Sequence, residues 1–420
     1  MRLEFIRLTL LGAITGLVAA VVVLAFRWMI EITQKGFLPQ GILGNYEALP
    51  PLVILLLPLG GGLILGLLFD RLPVELRSVG IVHVIQRLRF TGRPKLPLSN
   101  AVVQFFAGAF AITCGHSVDR EGPGVHLGAA SGSMLGGLSD DAEAFTLTAA
   151  GAAAAIAAAF NTPLAGVVFV IEVMGVRYRI DRFIPVITAS VMGALISRAA
   201  YGATPSFSVS HLQMGSLYEL LPVALLGVTT GLMAVVFIGL SERVGRFTQK
   251  WSPSLAFSVA GLVTGLIGLA YPQVLGISYD TLDGILNNRL AGVMLIGLVV
   301  GKLVATAISI GLKVPGGLIG PSLVIGGALG GIMGMLVKHY MLFESGSESF
   351  YASVGMVAMM SALLQAPLAA MMALLELTAD PNIIFPGMTA VVCADLIVRQ
   401  SFGRESVFEH MRRLVDRGEG

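Results

Sequence analysis

Residues 115–128 read Gly-His-Ser-Val-Asp-Arg-Glu-Gly-Pro-Gly-Val-His-Leu-Gly and set three charges, Asp119, Arg120 and Glu121, directly before a glycine-rich, largely apolar run. Ionisable side chains at membrane depth are expensive and take functional or paired roles. Pro123 suits the first turn of a helix, where its missing N–H costs nothing, and Gly122 lets another backbone come close. A helix starting here aims unsatisfied N–H groups and the positive end of its dipole at whatever precedes it. The pattern predicts an anion site with Glu121 tethered at its mouth. An ionised carboxylate would occupy that site and a protonated one would leave it, which makes a gate that answers to pH. The alternative is that Glu121 caps its own helix or pairs with Arg120. His126, one turn after Pro123, is the neighbour whose titration would bear on Glu121.

Residues 313–321, Lys-Val-Pro-Gly-Gly-Leu-Ile-Gly-Pro, repeat the construction without the acid, since Ile319 stands where Glu121 stands. One helix start keeps a gate and the other is left open to bind. Ser78-Val79-Gly80-Ile81-Val82, just after the charged Glu75-Leu76-Arg77, is a third and weaker candidate. Glu172 and Glu376 hold matching positions and are expected to hydrogen-bond neighbouring backbone, with a conduction role as the alternative. Lys302, inside an apolar run, either draws anions into an internal vestibule or is buried in a pair or snorkelling. The histidines at 83, 116, 126, 211, 339 and 410 show no ligand spacing, and Cys114 and Cys393 stand alone in apolar surroundings. Neither a metal nor a cofactor is expected, and the cysteines read as small buried hydrophobes.

The elements that must carry these residues are membrane helices. Of 420 residues 55% are hydrophobic and 12% charged, against about 25% charged in soluble chains. The mean hydropathy is +0.85. This excludes a soluble enzyme, and a net charge of +2 is too small to suggest nucleic acid. Apolar runs recur to residue 398, several of them well short of the roughly 20 residues a spanning helix needs. Together with 52 glycines they predict an all-α, multi-pass protein whose helices stop partway across the bilayer, as in transporters and channels. The run Leu8–Phe26 is longer than the roughly 7–15-residue core of a signal peptide and is followed by Arg27 and Trp28, so it reads as a retained first span. Arg2 and Arg7 before it, and Arg412, Arg413 and Arg417 at the far end, place both termini in the cytoplasm of an inner-membrane protein by the positive-inside rule.

An internal repeat organises the runs. Residues 149–166 match 353–370 at an offset of 204, which places Gly151 on Gly355, Pro163 on Pro367, Leu164 on Leu368 and, nine residues on, Glu172 on Glu376. Residues 121–137 match 319–335 at an offset of 198, with Gly122 on Gly320, Pro123 on Pro321 and Gly128 on Gly326. Two homologous halves, 1–205 and 206–410, followed by a tail at 411–420, are the natural reading. Duplicated halves in membrane proteins pack around a pseudo-two-fold axis with the ion site between them.

In these residues the chain resembles the CLC family of chloride channels and chloride/proton exchangers over about 50–410. Arg-Glu-Gly-Pro at 120–123 is similar to the family's G(K/R)EGP element, and Gly-Gly-Leu-Ile-Gly-Pro at 316–321 to its GGxFxP element. Asn161–Gly166 through Glu172, and Ala366–Leu368 through Glu376-Leu377-Thr378, resemble its two P-L…E helices, and Glu405–Glu409 its terminal pore segment. The resemblance implies a homodimer in which each subunit has its own pore, built from broken helices in two inverted-topology repeats. It implies that Glu121 is the gate, competing with chloride and shuttling protons in exchangers, and that the amides of Gly80, Ile81, Gly122, Leu318, Ile319 and Gly320 bind the anion. Only 12 residues follow Phe408, too few for the cytoplasmic regulatory domains some members append.

Three pore positions depart from the exchanger pattern. Val79 stands for the chloride-contacting serine, Phe408 for the pore tyrosine and Val173 for the internal proton glutamate. Each hydrogen bond to a charged partner is worth roughly 1.5–3 kcal/mol, so the loss of two hydroxyls weakens central binding and favours throughput. Val173 cannot hand a proton inward, and coupling is therefore expected to be absent or poor. The competing expectation is an antiporter whose protons reach Glu121 through water. A fluoride exporter is disfavoured by the Gly-Gly-Leu-Ile-Gly-Pro sequence. Asp119, where the family has Gly, either raises the proton affinity of Glu121 by like-charge repulsion or pairs with Arg120.

Overall fold

A computed structural model describes residues 2–78, 80–90, 94–138, 140–176, 179–203, 207, 212–290, 292–340 and 346–418. Val79 and His211 lie outside the described residues. The first half runs α1 (Arg2–Phe37), α2 (Pro51–Arg71), α3 (Val74–Arg77), α4 (Gly80–Phe90), α5 (Leu98–Thr113), α6 (Glu121–Leu135), α7 (Asp141–Phe160), α8 (Pro163–Glu172) and α9 (Ile180–Tyr201). The second runs α10 (Leu220–Phe247), α11 (Pro253–Ala270), α12 (Tyr279–Leu286), α13 (Gly292–Gly311), α14 (Ile319–Tyr340), α15 (Glu348–Leu364), α16 (Pro367–Thr378) and α17 (Ile384–Leu396), and α18 (Val407–Gly418) closes the chain. Among the described residues nine helices are long and apolar enough to cross a membrane. Others stop short: α6 has 15 residues, about 22 Å at 1.5 Å per residue, against a hydrocarbon core of about 30 Å.

The repeat is visible as geometry. Where α6 crosses α7, a Cβ on Gly128 would come within 2.3 Å of the Gly151 carbonyl. Where α14 crosses α15, a Cβ on Gly326 would come within 2.2 Å of the Gly355 carbonyl. These are the glycines the two sequence offsets superpose, and each pair lets two backbones touch. The middle helices α7 and α15 are buried along most of their length, which suits the run of alanines in the first and of small and flexible side chains in the second. Both end on a left-handed residue at matching positions, Asn161 with φ 59° and Gln365 with φ 52°. A proline then starts the short next helix in each half, α8 and α16.

Those two short helices cap each other. The first-turn amides of Leu164 and Ala165 in α8 donate to the Glu376 carboxylate at 3.0 and 2.8 Å. The first-turn amides of Leu368 and Ala369 in α16 donate to Glu172 at 3.1 and 2.7 Å. The structural reading of both glutamates holds, but the backbone they bind is that of the other half.

Candidate functional site

The two halves meet again at the starts of α6 and α14. Asp119 and Gly317 exchange backbone hydrogen bonds, Asp119 N–H to Gly317 O at 3.0 Å and Gly317 N–H to Asp119 O at 3.1 Å. Gly122 lies so close to this segment that a Cβ on it would stand 2.7 Å from the Gly317 Cα, the backbone approach its glycine predicts. Both helices thus begin at one point, each presenting first-turn amides that have no acceptor within their own helix.

Asp119 answers most of those amides. Its Oδ1 accepts from the N–H groups of Glu121 and Gly122, both at 3.0 Å, and its Oδ2 accepts from the Gly320 N–H at 2.7 Å. The side chain is wholly buried. Of the two readings offered for Asp119, pairing with Arg120 is not what its oxygens do. The expected anion donors Gly122 and Gly320 are engaged by the chain's own carboxylate.

Glu121, the expected gate, is buried as well, and among the described residues neither of its carboxylate oxygens has a hydrogen-bond partner. Its charged neighbour is Arg120, with Nε 3.5 Å from Oε1. Arg120 also stands 3.7 Å from Glu31 of α1 and 5.4 Å above the Tyr279 ring. The Tyr279 phenol adjoins both Glu121 and Asp119. The groups that face this buried carboxylate are thus the Arg120 guanidinium and the Tyr279 phenol.

Two cavities flank the Arg120–Glu121–Gly122 step. One, of about 380 Å³, is lined by Gly80, Ile81, Gly122, Leu318, Lys313 and Phe408, among others, and by His83. The structure therefore brings Gly80, Ile81, Gly122, Leu318 and Phe408 together, with Ile319 following Leu318 at the start of α14. The other, of about 490 Å³, is lined by Arg27, Glu31, Arg120, Phe160 and Tyr279 among others. Val173 borders neither; it is buried, and its carbonyl accepts from Arg89 Nη2 at 2.9 Å.

His126 is not aimed at Glu121 as expected but pairs with His83, Nε2 to Nδ1 at 3.1 Å, and Arg87 Nε donates to His83 Nε2 at 3.1 Å. Lys302 is fully buried and donates to the carbonyls of Val274 and Gly276 at 2.9 and 2.7 Å and to Ser278 Oγ at 2.7 Å. It fixes the segment that leads into Tyr279 and lines neither cavity. Among the described residues no group of three His, Cys, Asp or Glu could hold a metal ion.

Two residues at the site went unread in the sequence. Gln104 of α5 is wholly buried, and among the described residues both its carboxamide atoms are without a hydrogen-bond partner. Its Oε1 is 4.0 Å from where a Gly80 side chain would begin, and its Nε2 is 3.0 Å from the corresponding point on Gly108, which also faces Pro123. A lone amide in the apolar run Ala101–Ile112 was the available signal. Tyr279 carried none, because an aromatic residue in a membrane protein is ordinary packing material.

The model of the voltage-gated chloride channel family matches residues 61–399. The chain belongs to that family. Its function is transmembrane chloride transport, in an all-α multi-pass CLC fold of broken helices in two inverted-topology repeats. A ClcB-like protein of Ralstonia nicotianae is 28% identical over 95% of each chain. The H(+)/Cl(-) exchange transporter ClcA of Vibrio parahaemolyticus is 29% identical over 74% of this chain and 68% of its own. The crystal structure of a slow cyanobacterial Cl-/H+ antiporter superposes with a TM-score of 0.81 at 22% identity, covering 97% of this chain and 98% of the other.

Proposed function

We propose that the chain exchanges chloride for protons, and that Glu121 is the group both ions meet. The observation that carries this reading is a buried carboxylate, without a hydrogen bond, standing between two cavities at a helix start. The amides of Gly80, Ile81, Leu318 and Ile319 hold the anion on the Phe408 side. Phe408 supplies no hydroxyl there, and Gln104, buried and unpartnered beside Gly80, supplies a side-chain amide in its place. Val173 relays no proton, so the inward proton route is water in the cavity that His83 lines and that reaches Gly122.

The sequence favoured poor coupling because Val173 lacks a carboxyl. A relative named as an H(+)/Cl(-) exchange transporter and a cavity that reaches Gly122 at the start of the Glu121 helix support exchange instead. The protein would sit in the inner membrane as a homodimer, both termini cytoplasmic, with repeats at 1–205 and 206–410 and a tail from 411. Leu164 and Leu368, on the two mutually capped helices, stay exposed at 54% and 61%, an apolar surface that suits a second copy. The test is chloride flux in liposomes with simultaneous proton recording. An imposed chloride gradient is expected to drive protons uphill; chloride flux with no proton movement would return the channel-like reading.

A further inference from the structure

We propose that Asp119 is a resident anion: its carboxylate fills the cradle made by the starts of α6 and α14, and the transported anion is confined to the cradle on the Phe408 side. Three amides, Glu121, Gly122 and Gly320, converge on its two oxygens at 3.0, 3.0 and 2.7 Å. They come from two helices whose first-turn donors have no acceptor of their own and whose dipoles both favour negative charge at this point.

A helix cap explains only part of this. Oδ1 caps α6 in the ordinary way, two and three residues ahead of itself. Oδ2 instead reaches Gly320, 201 residues away and in the other half. The surrounding backbone is cut to fit the group: a Cβ on Gly317 would lie 2.0 Å from Oδ1, and one on Gly320 would lie 3.1 Å from the Asp119 Cβ. The backbone pairing of Asp119 with Gly317 fixes the carboxylate at that depth. Unlike Glu121, whose oxygens are free of hydrogen bonds, Asp119 is held on every side and does not swing. A chloride entering the same three amides would have to displace a tethered ion of its own charge, with Glu121 adjacent.

The charged groups facing this point are Glu121 on α6, Arg120 just before it and, farther off, Lys302 on α13; the Tyr279 phenol adjoins it from α12. This inference rests on the anion-transport reading and not on proton coupling. Its experiment reads anion occupancy, so that loss of coupling and loss of the inference are separate results.

Crystals of the full-length wild type soaked in bromide would be examined by anomalous diffraction beside crystals of Asp119→Gly. Wild type is expected to show no bromide within hydrogen-bond reach of the Gly122 and Gly320 amides at any concentration. The variant should show one there, and its bromide stoichiometry in solution should rise by one per subunit. Half-saturating chloride for flux should fall about tenfold, as charge-assisted hydrogen bonds become free for the ion. Bromide on those amides in wild type, with Asp119 turned away, would overturn the inference without any variant. So would a folded Asp119→Gly protein that binds no additional anion. If Asp119→Gly does not fold, Asp119→Asn, which keeps the shape and removes the charge, should admit bromide at these amides at high concentration, where wild type admits none. A folded Asp119→Asn protein with no bromide there would count against the inference.

Discussion

At the scale of single residues the site separates two carboxylates that sequence places two positions apart. Asp119 accepts three backbone hydrogen bonds and Glu121 accepts none among the described residues, so only the second can leave its position without dismantling backbone contacts. Glu121→Gln is expected to flatten the pH dependence of chloride flux and to abolish proton movement, both read in the liposome assay; a flux that still follows pH would move the gate to another group. Lys302 makes a different prediction. Its ammonium holds two carbonyls and a hydroxyl in a fully buried setting, and hydrogen bonds to a charged group contribute about 1.5–3 kcal/mol each. Lys302→Met should destabilise the protein by about 3 kcal/mol or more, seen as a lower melting temperature in detergent. That an acid opens α6 was legible in the sequence because Glu before Gly-Pro is a local pattern. The Gly320 amide that meets Asp119 and the oxygens that meet Lys302 were not, because each lies on an element that only the fold brings near.

At the scale of elements, short helices stand in the membrane because another element satisfies their ends. Glu172 and Glu376 do this reciprocally for α16 and α8. Loss of an N-cap costs about 0.5–2 kcal/mol, so Glu172→Ala and Glu376→Ala should each lower stability by about 1–2 kcal/mol, and by similar amounts, in thermal unfolding of the purified protein. Pronounced asymmetry between the two would show that the caps are not equivalent. Outside the membrane spans, α18 docks on α4 through Glu409, which lies 3.6 Å from Arg89. Hydrogen bonds from Arg412 hold the Glu409 carboxyl below its ordinary value of 4.5. A lowered carboxylate pKa stabilises the folded state fully above that ordinary value and loses its effect as pH falls through the lowered one. Amide exchange in residues 407–418, corrected for its intrinsic pH dependence, should therefore stay slow at neutral pH and quicken below about pH 4. Helix order and the duplicated Pro-Leu-Ala turns were readable in advance. That the two glutamates cap across the halves was not, since spacing along one chain looks the same for a local partner and a distant one.

At the scale of the whole molecule the halves are joined at matched seams, the exchanged carboxylate caps of α8 and α16 and the backbone bridge between Asp119 and Gly317. Unfolding should accordingly be a single thermal transition in wild type. In the Glu172→Ala, Glu376→Ala double variant it should broaden or divide in two, and a transition that stays equally sharp would mean that apolar packing alone couples the halves. The exchanged caps also bear on how the protein is made. Glu376 lies 212 residues after Leu164, and ribosomes add about 5–20 residues per second. For about 10–40 s the first half is in the membrane with the start of α8 still waiting for its acceptor. During that interval the nascent chain depends on water, lipid headgroups or a chaperone to cover an open helix end, and a pause in translation within the second half would lengthen that exposure.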